Sequence, residues 1–111
     1  MSESFEGRMQ FLYRIRPTRP AMLIEGPTPD EGDVIGRHFT YLRDLTDRGI
    51  VVLAGRTLNT DPTSHGIVIF FADSEDAARG IMKSDPAVRE GVMSAELFPY
   101  RIALLGKGTK R

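Results

Sequence analysis

Ile50–Ala72 reads IVVLAGRTLNTDPTSHGIVIFFA. Two β-branched and aromatic runs, Ile50–Leu58 and Gly66–Ala72, flank the turn-rich stretch Asn59–His65, which is the pattern of a β-hairpin. A helical pattern lies on each side of it. Upstream, Thr28-Pro29-Asp30-Glu31 matches a helix start on three counts. Thr28 can cap, Pro29 suits the first helical position, and Glu31 completes a capping box. The apolar spacing carries that helix to about Arg48, and Gly49 ends it. Downstream, Asp73-Ser74-Glu75-Asp76 opens a second helix in which Ala77, Ala78, Ile81 and Met82 share a face. It stops before Ser84-Asp85-Pro86, because a residue preceding proline is biased away from helix.

Two outer strands complete the pattern. Arg8–Arg16 alternates Met9, Phe11, Tyr13 and Ile15 against Gln10, Arg14 and Arg16, and Ser94–Leu105 sets Phe98, Tyr100, Ile102 and Leu104 on one side. The order β-α-β-β-α-β is the split βαβ, or ferredoxin-like, plan of an α+β fold, an antiparallel sheet with both helices on one face. The other face should then be polar if it meets water. It is not: Ile67, Ile69 and Phe71 oppose Val68, Phe70 and Ala72, while Ile50, Val52 and Ala54 oppose Val51 and Leu53. A second apolar face with no helix left to cover it implies a symmetric homodimer packed sheet to sheet.

The chain of 111 residues is the size of one domain, expected over residues 8–105, with flexible ends at 1–7 and 106–111. Lys plus Arg and Asp plus Glu number 15 each, so no overall field favours nucleic acid or an anionic membrane. The absence of cysteine excludes a disulfide framework, thiol catalysis and thiolate metal sites. The opening MSESFEGRMQ lacks the apolar core of a signal peptide, and no apolar run approaches ~18 residues, so a soluble, cytoplasmic protein is expected.

Chemistry is sparse. The two histidines, His38 and His65, have no metal-ligand spacing, and neither a Gly-rich phosphate loop nor a nucleophile elbow is present. No metal or organic cofactor is therefore expected. His38 is the residue out of place, lying near the centre of the arc formed by Val34, Ile35, Tyr41, Leu42 and Leu45. An imidazole there needs hydrogen-bond partners. It is either a core residue tied down by neighbours or the working group of a cleft.

Asp85 is the first partner to test. His38 lies about nine residues beyond Pro29 and Asp85 about ten beyond Glu75. At about 1.5 Å per residue both sit about 15 Å along helices that the split βαβ plan lays side by side. Asp85 also reads as an ordinary N-cap before Pro86, and one carboxylate can do both. Arg14, Arg16 and Arg19, around the end of the first strand, would suit an anionic substrate at a cleft mouth or else be solvated. Arg56 after Gly55 is a further cationic candidate. Tyr41, one turn from His38, could lend a hydroxyl or pack in the core. The apolar Ala21–Ile24 run is odd for a connection and is either a lid or a dimer contact, and His65 reads as an exposed loop residue.

Three segments carry a family resemblance: TPDEGDVIGRHFTYLRDLTDRGIVVLAGRT, GIVIFFADSEDAARGIMKSDPAVREGVM and AELFPYRIAL, spanning most of Thr28–Leu104. In order and spacing they resemble the YciI-like (YCII-related) proteins of the dimeric α+β barrel superfamily. The resemblance implies a ferredoxin-like fold, sheets paired in a dimer, and a His and Asp regarded as an active-site pair, here His38 and Asp85. Elsewhere the superfamily includes muconolactone isomerases. One departure is Arg56, where relatives often have proline, in a loop that bears on substrate preference. The implied function is a cofactor-independent small-molecule enzyme of lyase or isomerase type acting by proton transfer. In it His38 is the acid/base, Asp85 its orienter, and Arg16, Arg19, Tyr41 and Arg56 are substrate-binding candidates. A non-catalytic ligand-binding module and a purely structural dimer remain as alternatives.

Overall fold

A computed structural model describes residues 8–108. The expectations for the ends at 1–7 and 109–111 lie outside the described residues. In chain order the elements are β1 (Met9–Pro17), α1 (Met22–Glu25), α2 (Pro29–Asp47), β2 (Val51–Arg56), β3 (Gly66–Ala72), α3 (Glu75–Ser84), α4 (Pro86–Arg89) and β4 (Met93–Tyr100). The four strands form one antiparallel sheet in the order β2-β3-β1-β4, the ferredoxin-like arrangement.

Local chemistry sets the helix ends. The Glu31 amide donates to Thr28 Oγ1 at 3.2 Å while the Thr28 amide donates to Glu31 Oε1 at 2.8 Å, a reciprocal capping box. Beyond Arg48 the chain turns at Gly49 with φ +76°, a conformation that side chains with a Cβ resist. Ser74 caps α3 by accepting from the Ala77 amide at 3.0 Å. Helices α2 and α3 pack Leu42, Leu45, Ala78 and Met82 onto one sheet face, against Phe11, Tyr13, Ile15, Val51, Val68 and Phe70.

Three details depart from the sequence pattern. Val51 pairs with Phe70 but Leu53 pairs with Ile69, so a bulge at Val52 puts Val51 and Leu53 on opposite faces instead of the same one. Val51 is buried at 3% exposure, whereas Leu53 faces outward at 42%. β4 stops at Tyr100 rather than Leu105. Gln10 already faces Tyr100, and β1 begins at Met9, so the ladder runs out of partner. The Ile102 amide donates instead to the Gln10 side-chain oxygen at 2.6 Å, and Leu104 is left 93% exposed. The Ala21–Ile24 run forms the short helix α1, with Met22 buried and Ile24 turned outward.

The register places Leu12, Leu53, Ile67, Ile69, Phe71 and Phe98 on the sheet face away from the helices. Among the described residues no helix is long and apolar enough to cross a membrane. Replacing Gly49 by Ala should cost about 1 kcal/mol, read as a lower midpoint in thermal unfolding, because the left-handed turn after α2 would then carry a Cβ. An unchanged midpoint would mean that the turn relaxes to another conformation.

Candidate functional site: a buried carboxylate and its histidine

Pro86 ends α3, and the chain breaks at Asp85 (φ −61°, ψ 123°) before α4 begins. The break points the Asp85 side chain into the interior, where it is fully buried. A buried carboxylate is costly unless donors surround it. Three do. His38 Nδ1 lies 2.7 Å from Oδ1 and 2.9 Å from Oδ2, the Tyr13 hydroxyl donates to Oδ2 at 2.7 Å, and the Ala87 amide donates to Oδ1 at 2.9 Å. Asp85 therefore caps α4 and meets His38 at once.

A carboxylate can only accept, so His38 Nδ1 carries the proton and, in the neutral ring, Nε2 is the bare nitrogen. The His38 side chain is 14% exposed. Among the described residues no buried side-chain nitrogen or oxygen lacks a partner, so the unbonded Nε2 is on the part of the ring that solvent reaches. One imidazole nitrogen is thus anchored inside while the other faces out, the arrangement that proton transfer requires.

Tyr13 was legible only as a core aromatic. The available signal was that a tyrosine in a buried strand position, unlike phenylalanine, must find a partner for its hydroxyl. Burial first, and then the charge of Asp85, push its pKa far above the usual phenol range, so this hydroxyl is a donor and stays protonated.

The remaining candidates do not converge on His38. The Tyr41 hydroxyl donates to the Ile81 carbonyl at 2.6 Å, which ties α2 to α3, and burial followed by Asp85 pushes its pKa up to about 12. Arg19 forks onto Glu31 through Nε and Nη2, both at 2.8 Å, and also reaches Glu25 and the Gly26 carbonyl. The fork, together with the Thr28 amide, lowers Glu31 to about 2. Arg19 is thus a brace between the α1 segment and the start of α2. Arg16 alternates onto the helix-free sheet face, opposite Ser94. Arg14, on the same face, pairs with Glu96 at 2.6 Å.

Arg56 lies at the end of β2, where with Leu53, Gly55, Thr57, His65 and Ile67 it lines a depression of about 240 Å³. A second depression of about 420 Å³ runs past Arg8, Phe71 and Ile81. Neither depression is lined by His38 or Asp85.

A brace that the sequence pattern did not reveal lies beside the pair. Arg37 holds Glu90 through both terminal nitrogens, one of them at 2.9 Å, and Asp33 through Nε at 3.2 Å. The Arg37 guanidinium lowers Glu90 to about 2 and joins α2 to the end of α4, the same two elements that His38 and Asp85 join. Among the described residues no group of three or more His, Asp or Glu could hold a metal ion.

The family model of the YCII-related domain matches residues 9–101, which takes in every strand and both ends of the His38–Asp85 contact. The chain belongs to the YCII-related family. No curated protein matches it significantly. Among solved structures, the YCII-related chain is similar in fold to 5-chloro-2-hydroxyhydroquinone dehydrochlorinase from Burkholderia phenoliruptrix in complex with 2,5-dihydroxybenzoquinone. The TM-score is 0.59 at 19% identity, covering 82% of this chain and 93% of that one.

Asp85→Asn should destabilise this YCII-related fold by about 3 kcal/mol in denaturant unfolding, because an amide has one accepting oxygen where three donors now meet. A loss under about 0.5 kcal/mol would mean that the donors find other partners.

Proposed function

We propose that this YCII-related chain is a small-molecule enzyme of lyase or isomerase type, in which His38 moves a proton through Nε2. Asp85 holds the ring, fixes its tautomer and stabilises the imidazolium that forms when Nε2 takes a proton. The observation that carries the reading is the Nδ1–Asp85 contact at 2.7 Å together with the outward-facing second nitrogen. Proton transfer of this kind needs no group beyond the two side chains.

The dehydrochlorinase of similar fold supports the substrate class by its name and its ligand, a chlorinated hydroxyhydroquinone and a dihydroxybenzoquinone. Loss of HCl is a lyase-type step: a base takes the proton and chloride leaves with its electron pair. A small cyclic substrate bearing an acidic proton is accordingly proposed here. Arg19 and Arg37 are already forked onto glutamates and Arg16 lies on the other sheet face, so none of these three serves as an anion clamp at His38.

In this reading a second copy covers the helix-free sheet face. Leu53 and Phe98 stand 42% and 41% exposed there beside Ile67 and Ile69. Two such faces related by a two-fold axis would remove one another's apolar surface from water.

Two experiments follow. Turnover of hydroxylated or halogenated quinols and small cyclic acids, followed by absorbance, should fall by roughly 10²–10⁴-fold in His38→Ala while the circular dichroism spectrum is unchanged. Activity that survives the substitution, or a bound ring that returns chemically unchanged, would overturn the proton-transfer role. Sedimentation should give a dimer for the parent protein and a folded monomer for the double variant Leu53→Lys, Phe98→Lys. A parent protein that is monomeric at micromolar concentration would remove the sheet-to-sheet pairing.

A further inference from the structure

The proton transfer above uses His38 and Asp85, and leaves a fully buried hydroxyl at the same site without a role. The geometry points to Tyr13 as a positioning residue of that site: by donating to Asp85 Oδ2 it aims the carboxylate at His38 and limits how strongly the carboxylate draws the Nδ1 proton. This inference rests on His38 being the proton-transfer group.

The aiming follows from the number and direction of the contacts. His38 Nδ1 sits in a nearly even fork, 2.7 Å from one oxygen of Asp85 and 2.9 Å from the other. Such a fork exists only while the carboxylate presents both oxygens to the ring. Each oxygen has one further donor, the Ala87 amide on Oδ1 and the Tyr13 hydroxyl on Oδ2. With one oxygen held, the group could still swing about its bond to Cβ. With both held, the plane is set.

Tyr13 is well placed to hold its oxygen. It lies on β1, between β3 and β4, with Val68 opposite on one side and Leu97 on the other. Its ring meets Phe70 edge-on, with centroids 5.6 Å apart and planes at 74°. The side chain has no exposure to solvent, so water cannot replace its hydroxyl. Burial and the Asp85 charge keep that hydroxyl protonated, and it therefore only donates.

The limiting effect follows from competition. Donors on one anion share its charge, so each weakens the hold of the others, and the effect is large where water is excluded. Tyr41 on α2 is the other titratable group that acts on Tyr13, and it is acted on in turn by Arg48 just after α2 and by Arg89 on α4. Tyr41 donates to the Ile81 carbonyl and so does not compete for the carboxylate. Tyr13 and the Ala87 amide are the two donors that set how much of the Asp85 charge is left for His38.

Tyr13→Phe keeps the ring and removes only the hydroxyl. In proton–nitrogen spectra of the imidazole, the parent should show the Nδ1–H tautomer of His38. Tyr13→Phe should keep that tautomer but move the Nδ1 proton downfield by several tenths of a part per million, as a carboxylate with one donor fewer pulls harder. Site-specific 3-fluorotyrosine at position 13, a more acidic phenol of nearly the same shape, should move the same proton upfield. The fluorinated protein is the deciding measurement if Tyr13→Phe does not fold.

An Nδ1 proton that stays in place in the folded variants would overturn the inference and leave Tyr13 as a packing residue. Once a substrate is in hand, Tyr13→Phe should change kcat by about three- to tenfold with KM unchanged. A change in KM alone would also count against it. The spectra need no substrate, so their failure is distinct from a failure of the His38 role, which would show as turnover surviving in His38→Ala.

Discussion

The Asp85 carboxylate is the point at which this structure closes on itself. It is a charge with no solvent exposure, and it persists because β1, α2 and α4 each bring it a donor. A buried anion is among the costliest groups a fold can contain, and removing one donor exposes that cost. The packing of α2 against the α3–α4 corner therefore cannot drift far without leaving the carboxylate short of partners. The same contacts that satisfy it hold His38 with one nitrogen inward and the other at the surface. Stability and the proposed chemistry share one set of hydrogen bonds here.

The arginines near the site act as braces. Arg37 forks onto Glu90 and so repeats, closer to solvent, the α2-to-α4 link that His38 and Asp85 make inside. Arg19 forks onto Glu31, a residue already engaged in the capping box of α2, and so ties the α1 segment to that helix start. Both glutamates are held near 2 by these guanidinium groups and stay charged well below neutral pH.

The two faces of the sheet divide the work. One carries the helices and, through Tyr13, the floor under Asp85. The other carries Leu53, Ile67, Ile69 and Phe98, with Arg14 held against Glu96. Because side chains alternate along each strand, the buried Tyr13 hydroxyl and the exposed apolar face are set by one register. The bulge at Val52 is part of that division: it turns Val51 into the core and Leu53 outward within three residues.

Much of the local chemistry was legible in the residues. The Thr28–Glu31 box, the Gly49 turn, the break before Pro86 and the alternation in β1 and β3 all act within a few positions, and their order leads to the ferredoxin-like sheet. The rise of a helix was enough to bring His38 and Asp85 to the same depth. What the sequence by itself determined was therefore the four strands and two long helices, their order and the two residues worth testing.

Only the tertiary structure decided which hydroxyl reaches Asp85, which glutamates take Arg19 and Arg37, where β4 loses its partner and where β2 bulges. Tyr13 and Asp85 stand 72 positions apart, and Arg37 and Glu90 stand 53 apart. No periodic pattern encodes such pairs, because a donor is assigned to an acceptor by the packing distance between whole elements. That distance exists only once the helices lie on the sheet.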